Sequence, residues 1–469
     1  MSQDHLDRLT SIDAGFLHQE RGSAHMHIGG LGVFSGPSPT GQEFRDHIAS
    51  RLPQIPRYRQ RIAAMPLGTG RPVWVDDTSF RLDYHVRHAA LPTPGNSGQL
   101  LTLVSRSFSQ RLDRMKPLWE LWLVEGLADD RFAIIAKTHH AMIDGVGGMD
   151  LLAAVLDLEP DAAPVQIAPW RPQPTPGTVG LLTHGASGAV RNLRRLGARG
   201  ARLAVRPQQA VREALSAASA LGAAAWPLVT GAPSSQLNRA PGPDRRVEVV
   251  HAALADHKLV KNAFGATVND VVLTVVAGAL GRFMSGRGID VDGRSLRACI
   301  PVSMRAGDTS GAAGNKFTIV TAALPIGPDD AVQRLTQVHR EMVNLKAGRQ
   351  ADGARVLGTL ENAMPPVLLA QVSRLGFSSR TYNLLVTNLP GPQVPVYLLG
   401  RELVELAPLA FLAPEHTLAI AVVSYHGQMT YALLGDADAL PDLADLTGHL
   451  EDSLAELVAA AITAGAVDA

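Results

Sequence analysis

Residues 138–148, THHAMIDGVGG, join an apolar run, RFAIIAKTHH (131–140), to a segment with helical spacing, MDLLAAVLDLE (149–159). The first run is rich in β-branched and apolar side chains and reads as a buried strand. The histidines therefore stand where a strand ends and a helix begins. Gly145, Gly147 and Gly148 remove side chains where the backbone must turn sharply or approach another molecule closely. Neighbouring residues on a strand face opposite sides, so His139 and His140 are poorly placed to share one ion. No cysteine and no His-x-x-x-His spacing adds ligands, and no metal is expected. A histidine beside such a clearing suits general-base work, because its ordinary pKa lies near neutrality. The competing possibility is a packed histidine at a strand end.

Outward from this stretch, residues 1–158 read as a mixed α/β unit. MHIGGLGVF and LWELWLVEGL have strand character, and GQEFRDHIASRL is a short amphipathic helix. Residues 159–244 read as a linker. It opens with the Pro-rich EPDAAPVQIAPWRPQPTPG (159–177) and continues as a basic helical stretch. There Arg191, Arg195, Arg199, Arg202 and Arg206 share one face, opposite Leu193, Leu196 and Leu203. Two roles fit this pattern: a connecting helix with solvated arginines, or a helix lying on an anionic lipid surface. Residues 245–469 read as a second α/β unit. Strands are expected in RRVEVVHAAL, SLRACIPVSMR and YNLLVTNLPGP, and a hairpin about His426-Gly427. Helices are expected in TVNDVVLTVVAGALGRFM, AVQRLTQVHREMVNLKAG and the C-terminal LPDLADLTGHLEDSLAELVAAA. The expected fold class is α/β (α+β): two related units, each a mixed sheet with flanking helices, joined by a long helical crossover.

Composition narrows the function classes. The chain has 469 residues, of which 46% are hydrophobic and 18% charged, enough for a large core and against wholesale disorder. Lys+Arg and Asp+Glu are both 43, a balance that gives no reason to expect a nucleic-acid partner. The single cysteine, Cys299, excludes an intrachain disulfide and, inside an apolar run, reads as a small buried thiol rather than a nucleophile. No signal-peptide pattern opens the chain, and no window of about 20 uninterrupted apolar residues suggests a membrane span. A cytoplasmic protein, peripheral at most on a membrane or lipid droplet, is expected.

The segment His139-His140-Ala141-Met142-Ile143-Asp144-Gly145 matches the HHxxxDG signature of CoA-dependent acyltransferases and condensation domains. Taken with LTSIDAGFL, LDRMKPLWELWLVEGL, NDVVLTVVAGAL, PVSMR, GNKF and TNLPGP, in that family's order, the chain resembles the bacterial wax ester synthase/diacylglycerol acyltransferase family. The resemblance implies two chloramphenicol-acetyltransferase-like domains with a solvent channel between them. It implies a fatty acyl-CoA co-substrate, no further cofactor, and a diacylglycerol or long-chain alcohol as acceptor. His140 would be the general base, His139 a support residue, and Asp144 a structural carboxylate with Arg305 as candidate partner. Asn269 would face the catalytic channel, with Asp270 supporting it, although Asn and Asp at a helix start also serve as simple caps. Gly145, Pro117, Trp119, Asn315 and Asn388 would lie along the substrate path. By turn and core chemistry alone, Trp119 could equally be a core aromatic and the Asn388 loop a turn. A carrier-protein-dependent acyltransferase and a non-catalytic lipid-droplet protein are the alternatives.

Overall fold

The structure is a computed structural model that describes residues 6–66, 70–142, 150–162, 169–183, 231–303, 317–327, 330–347 and 376–467. Asp144, Gly145, Arg305, Asn315 and the arginines from 191 to 206 lie outside the described residues, as does most of the expected crossover.

In chain order the elements of the first half are α1 (Ser11–Gln19), β1 (His27–Ser35), α2 (Gly41–Arg51), β2 (Gln60–Ala63) and β3 (Val73–Asp76). They continue with α3 (Leu82–His85), β4 (Val86–Ala90), α4 (Ser97–Ser109), β5 (Trp119–Leu127), β6 (Arg131–His139) and α5 (Asp150–Val155). The second half contributes β7 (Arg245–Ala253), α6 (Leu254–Phe264), α7 (Val268–Gly286), β8 (Ser295–Ser303), β9 (Phe317–Pro325) and α8 (Ala331–Ala347). It ends with β10 (Leu384–Pro390), β11 (Tyr397–Leu398), β12 (Arg401–Leu409), β13 (Leu418–Tyr425), β14 (Gln428–Asp436) and α9 (Asp445–Val467).

Two six-stranded sheets dominate, in the orders β11-β12-β1-β6-β5-β4 and β7-β14-β13-β10-β8-β9. Both are mixed: β4 runs parallel to β5, and β10 runs parallel to β13 and β8, while the other described pairs are antiparallel. The hairpin about His426-Gly427 is present, with positive φ at both residues as a tight two-residue turn requires. The sheets are not successive in the chain. β11 and β12 come from residues 397–409, inside the stretch expected to form the second unit, yet β12 pairs with β1. Without it β1 would present an unpaired edge.

Gly29 of β1 shows how tightly this sheet is drawn. A Cβ there would lie 1.8 Å from the Ala136 carbonyl oxygen, so any side chain would force β1 off β6. Behind the sheet, α2 and α5 close a core around Phe34, Phe44, Trp119 and Phe132. In the second unit α7, α8 and α9 cover the other sheet. Helix α7 is apolar all round. It is the one helix among the described residues long and apolar enough to cross a membrane, but 78% of that window is buried inside the fold. A third core contains Leu31, Ile135 and Leu409 of the first sheet together with Val247, Leu385 and Ala421 of the second. The halves share interior as well as surface.

Polar ties reinforce this junction. Edge strand β7 donates its Arg245 and Val247 N–H groups to the Ser109 and Ser105 hydroxyls of α4, at 2.9 and 3.0 Å. Lys137, wholly buried near the end of β6, donates from Nζ to the Ser107 and Gln110 carbonyls at the end of α4, at 2.8 and 3.1 Å. Glu120 lies 3.5 Å from the same nitrogen. Cys299 is buried as expected, and burial pushes its thiol up to about 12.

Candidate active site

Strand β6 delivers the two histidines, and its neighbours fix them. The His139 N–H donates to the Leu118 carbonyl at 2.9 Å, and the His140 N–H to the Met26 carbonyl at 2.8 Å. The backbone then tightens into a 3₁₀ turn over His140–Met142. The Pro117-Leu118-Trp119 block thus holds His139 through main-chain contact. Trp119 lies opposite Thr138 in the β5–β6 ladder.

The two imidazoles diverge. His139 is buried in the fold, and its Nδ1 accepts the Ala141 N–H at 3.0 Å, which places the ring proton on Nε2. That nitrogen faces Glu20 Oε2 at 3.8 Å. Glu20, at the end of α1, is itself buried and accepts from Arg114 Nε at 2.7 Å. The His27 Nε2 lies 3.5 Å from Glu20 Oε1 and accepts the Leu112 N–H at 3.3 Å. Burial opposes ionisation of Glu20, but its contacts with His27, His139 and Arg114 outweigh it and bring the carboxyl down to about 2. Burial brings His139 down to about 3 and His27 to about 4, the latter against the pull of Glu20. Both rings are neutral at pH 7.

His140 turns to a different environment. Its ring stacks on Phe16 of α1 at 3.9 Å and 18°, and meets Phe411, just beyond β12, edge-on at 5.6 Å. Phe377 closes the group, 5.6 Å from Phe16 and 6.1 Å from Phe411. The residue stays partly exposed, while Nδ1 is buried with no hydrogen-bond partner from another described residue. Burial in this aromatic setting lowers its pKa to about 4, so the ring is an unprotonated base across the physiological range. Chemically the arrangement offers one neutral, partly exposed imidazole in an aromatic setting, with its ring plane fixed by stacking.

The remaining expected site residues fall into two groups. Asn269 and Asn388 meet: the Asn388 amide donates to Asn269 Oδ1 at 3.4 Å, joining the TNLPGP strand to the start of α7. The helix cap is neither Asn269 nor Asp270 but Thr267, whose hydroxyl accepts the Asp270 N–H while Asp270 Oδ2 accepts the Thr267 N–H. A cap must precede the first helical residue, and Asp270 is the third residue of the helix. The same Asp270 oxygen accepts from His339 Nδ1 of α8 at 2.8 Å. Trp119 is enclosed in the core: its Nε1–H donates to the Tyr58 carbonyl at 2.7 Å and its ring stacks on His85 at 4.6 Å. Pro117 is also buried. No described contact joins the Asn269–Asn388 pair to His140. Phe16, Phe377, Phe411, Glu20 and His27 were not anticipated. Phe16 lies in the quoted LTSIDAGFL block and His27 opens the MHIGGLGVF strand, but neither pattern marks them as site residues.

A family model described as the wax ester synthase/diacylglycerol acyltransferase catalytic domain matches residues 9–272. One described as the WS/DGAT C-terminal domain matches residues 313–458. A probable diacylglycerol O-acyltransferase of Mycobacterium tuberculosis is 32% identical, over 97% of this chain and 96% of that protein. Among solved structures, the wax ester synthase/diacylglycerol acyltransferase of Marinobacter aquaeolei VT8 matches with a TM-score of 0.67 at 27% identity, covering 97% of this chain and 99% of that one. The first condensation domain of the calcium-dependent antibiotic synthetase matches with a TM-score of 0.58 at 16% identity, covering 97% of each chain, a likeness of fold alone.

Proposed function

The chain belongs to the wax ester synthase/diacylglycerol acyltransferase family, and on that premise we propose that its donor is a fatty acyl-CoA and its acceptor the free hydroxyl of a diacylglycerol, with long-chain alcohols as a second acceptor class. The enzyme is an acyltransferase, and the observation that carries the proposed chemistry is His140. Its imidazole is neutral, clamped between Phe16 and Phe411, and turns Nδ1 inward, which leaves Nε2 for the substrate.

In this scheme the acceptor oxygen attacks the thioester carbonyl carbon as Nε2 takes the hydroxyl proton. The resulting tetrahedral oxyanion collapses, the C–S bond breaks, and the imidazolium returns the proton to the departing thiolate. The products are an ester and free CoA, with no acyl-enzyme and no further cofactor. Asn269, tied to Asn388, supplies an amide to steady the oxyanion or orient the base. The aromatic walls accept greasy chains and exclude water. Both lipids reach such a cleft from a membrane or droplet surface, so the enzyme works as a peripheral protein. The basic stretch through Arg191, Arg195, Arg199 and Arg202 meets anionic headgroups there.

The test offers purified protein palmitoyl-CoA with diacylglycerol and hexadecanol in competition, and follows CoA release and product esters. Wild type should form triacylglycerol, and His140→Gln, folded by circular dichroism, should lose about 10²–10⁴-fold in kcat. A variant that esterifies at the native rate removes His140 from the reaction. Unchanged liposome binding at low salt after charge removal at the four arginines removes the surface role of that stretch.

A further inference from the structure

We infer that the Tyr382 hydroxyl recognises an ester carbonyl of a glycerolipid acceptor, and so separates diacylglycerols from plain alcohols; this rests on the acceptor reading above. Tyr382 stands just before β10 with only 1% of its surface exposed. Its ring stacks on His416 at 4.1 Å, and its carbonyl accepts from His416 Nε2 at 3.0 Å and Asn238 Nδ2 at 3.2 Å. Ring and backbone are both fixed. The hydroxyl, by contrast, has no hydrogen-bond partner among the described residues. A buried hydroxyl left unmatched weakens a fold, so it needs a compensating use.

Its surroundings point to the reaction cleft. The Tyr382 ring lies 6.4 Å from Phe377, and Phe377 packs on both Phe16 and Phe411, the rings that hold His140. One partly exposed phenylalanine thus links the Tyr382 ring to the aromatic group around His140. The core around it is built from apolar side chains such as Leu385, Ala410 and Ala421, with the Cys299 thiol, a weak acceptor, among its neighbours. A diacylglycerol brings two ester carbonyls within a few bonds of its free hydroxyl. A long-chain alcohol brings none.

The experiment compares a 1,2-diacylglycerol with the matching 1,2-dialkylglycerol, which keeps the shape but carries methylenes in place of the carbonyls. With palmitoyl-CoA as donor, kcat/KM is measured for wild type and Tyr382→Phe, with hexadecanol as a third acceptor. Wild type should favour the diester by about tenfold, and Tyr382→Phe should reduce that preference to within about twofold, chiefly through KM. The variant should also melt no lower than wild type, having lost an unmatched oxygen. Equal rates for diester and diether in wild type overturn the inference, even if the variant fails to fold. A preference that survives in Tyr382→Phe does the same. If wild type esterifies hexadecanol but neither glycerolipid, the acceptor reading fails and the inference falls with it.

Discussion

Stability should fall steeply as the pH drops from 7 to 5, driven by histidines that the folded chain keeps neutral. His27, His85 and His139 are all buried, and burial lowers them to about 4, 4 and 3. His139 and His27 each accept a backbone N–H, from Ala141 and Leu112, so protonation would set donor against donor. His85 is stacked between Phe80 and Trp119. Above pH 6.5 neither the folded nor the unfolded chain binds these protons. Below it the unfolded chain takes them up while the folded chain refuses until about pH 4, so stability is lost across that window. Each group contributes up to about 1.4 kcal/mol per pH unit. The three together remove about 5 kcal/mol between pH 7 and pH 5, comparable with the whole stability of many domains. Urea unfolding at half-unit pH steps measures this directly, with proton uptake on unfolding as a second readout. Unfolding free energies that stay level from pH 7 to pH 5, or resonances of His27, His85 and His139 titrating near 6.5 in the folded protein, would refute it.

Three substitutions extend the same reasoning. Glu20→Gln removes the buried negative charge facing Arg114 while keeping its shape, and should cost about 3 kcal/mol in urea unfolding; a midpoint equal to wild type means that the charge does not hold α1 to the histidine turn. Lys137→Met removes the Nζ bonds to the Ser107 and Gln110 carbonyls and should destabilise by about 2–4 kcal/mol. A gain in stability there would show that the buried ammonium costs more than its bonds return. Trp119→Phe loses the hydrogen bond to Tyr58 and should lower stability by about 2 kcal/mol without changing acyl-chain preference. A shifted chain-length profile would instead put this ring in the substrate path.

The sequence announces those parts of the fold whose patterns are local. The hairpin at His426-Gly427, the apolar helix α7 and the run ending in His139-His140 all carry their own signals. β12 does not. Pro408 interrupts its pattern, and its partner β1 lies near the other end of the chain. The cleft is similar: His140 stands out as a residue type in a motif, whereas Phe16 and Phe411 look like any core phenylalanine until the topology sets them against its ring. Asn269 and Asp270 offer capping as an alternative in the sequence, and only backbone geometry shows that Thr267 is the cap and Asp270 its partner three residues on.

The pairing of β1 with β12 also constrains how the protein is made. During translation β1 emerges early, but the strand that completes its far edge follows more than three hundred residues later. Through that interval the nascent first sheet exposes hydrogen-bonding backbone to its neighbours in the cell. Recombinant fragments ending before residue 401 inherit the same open flank and should collect in inclusion bodies. Attempts to express the catalytic half by itself are better aimed at the complete polypeptide.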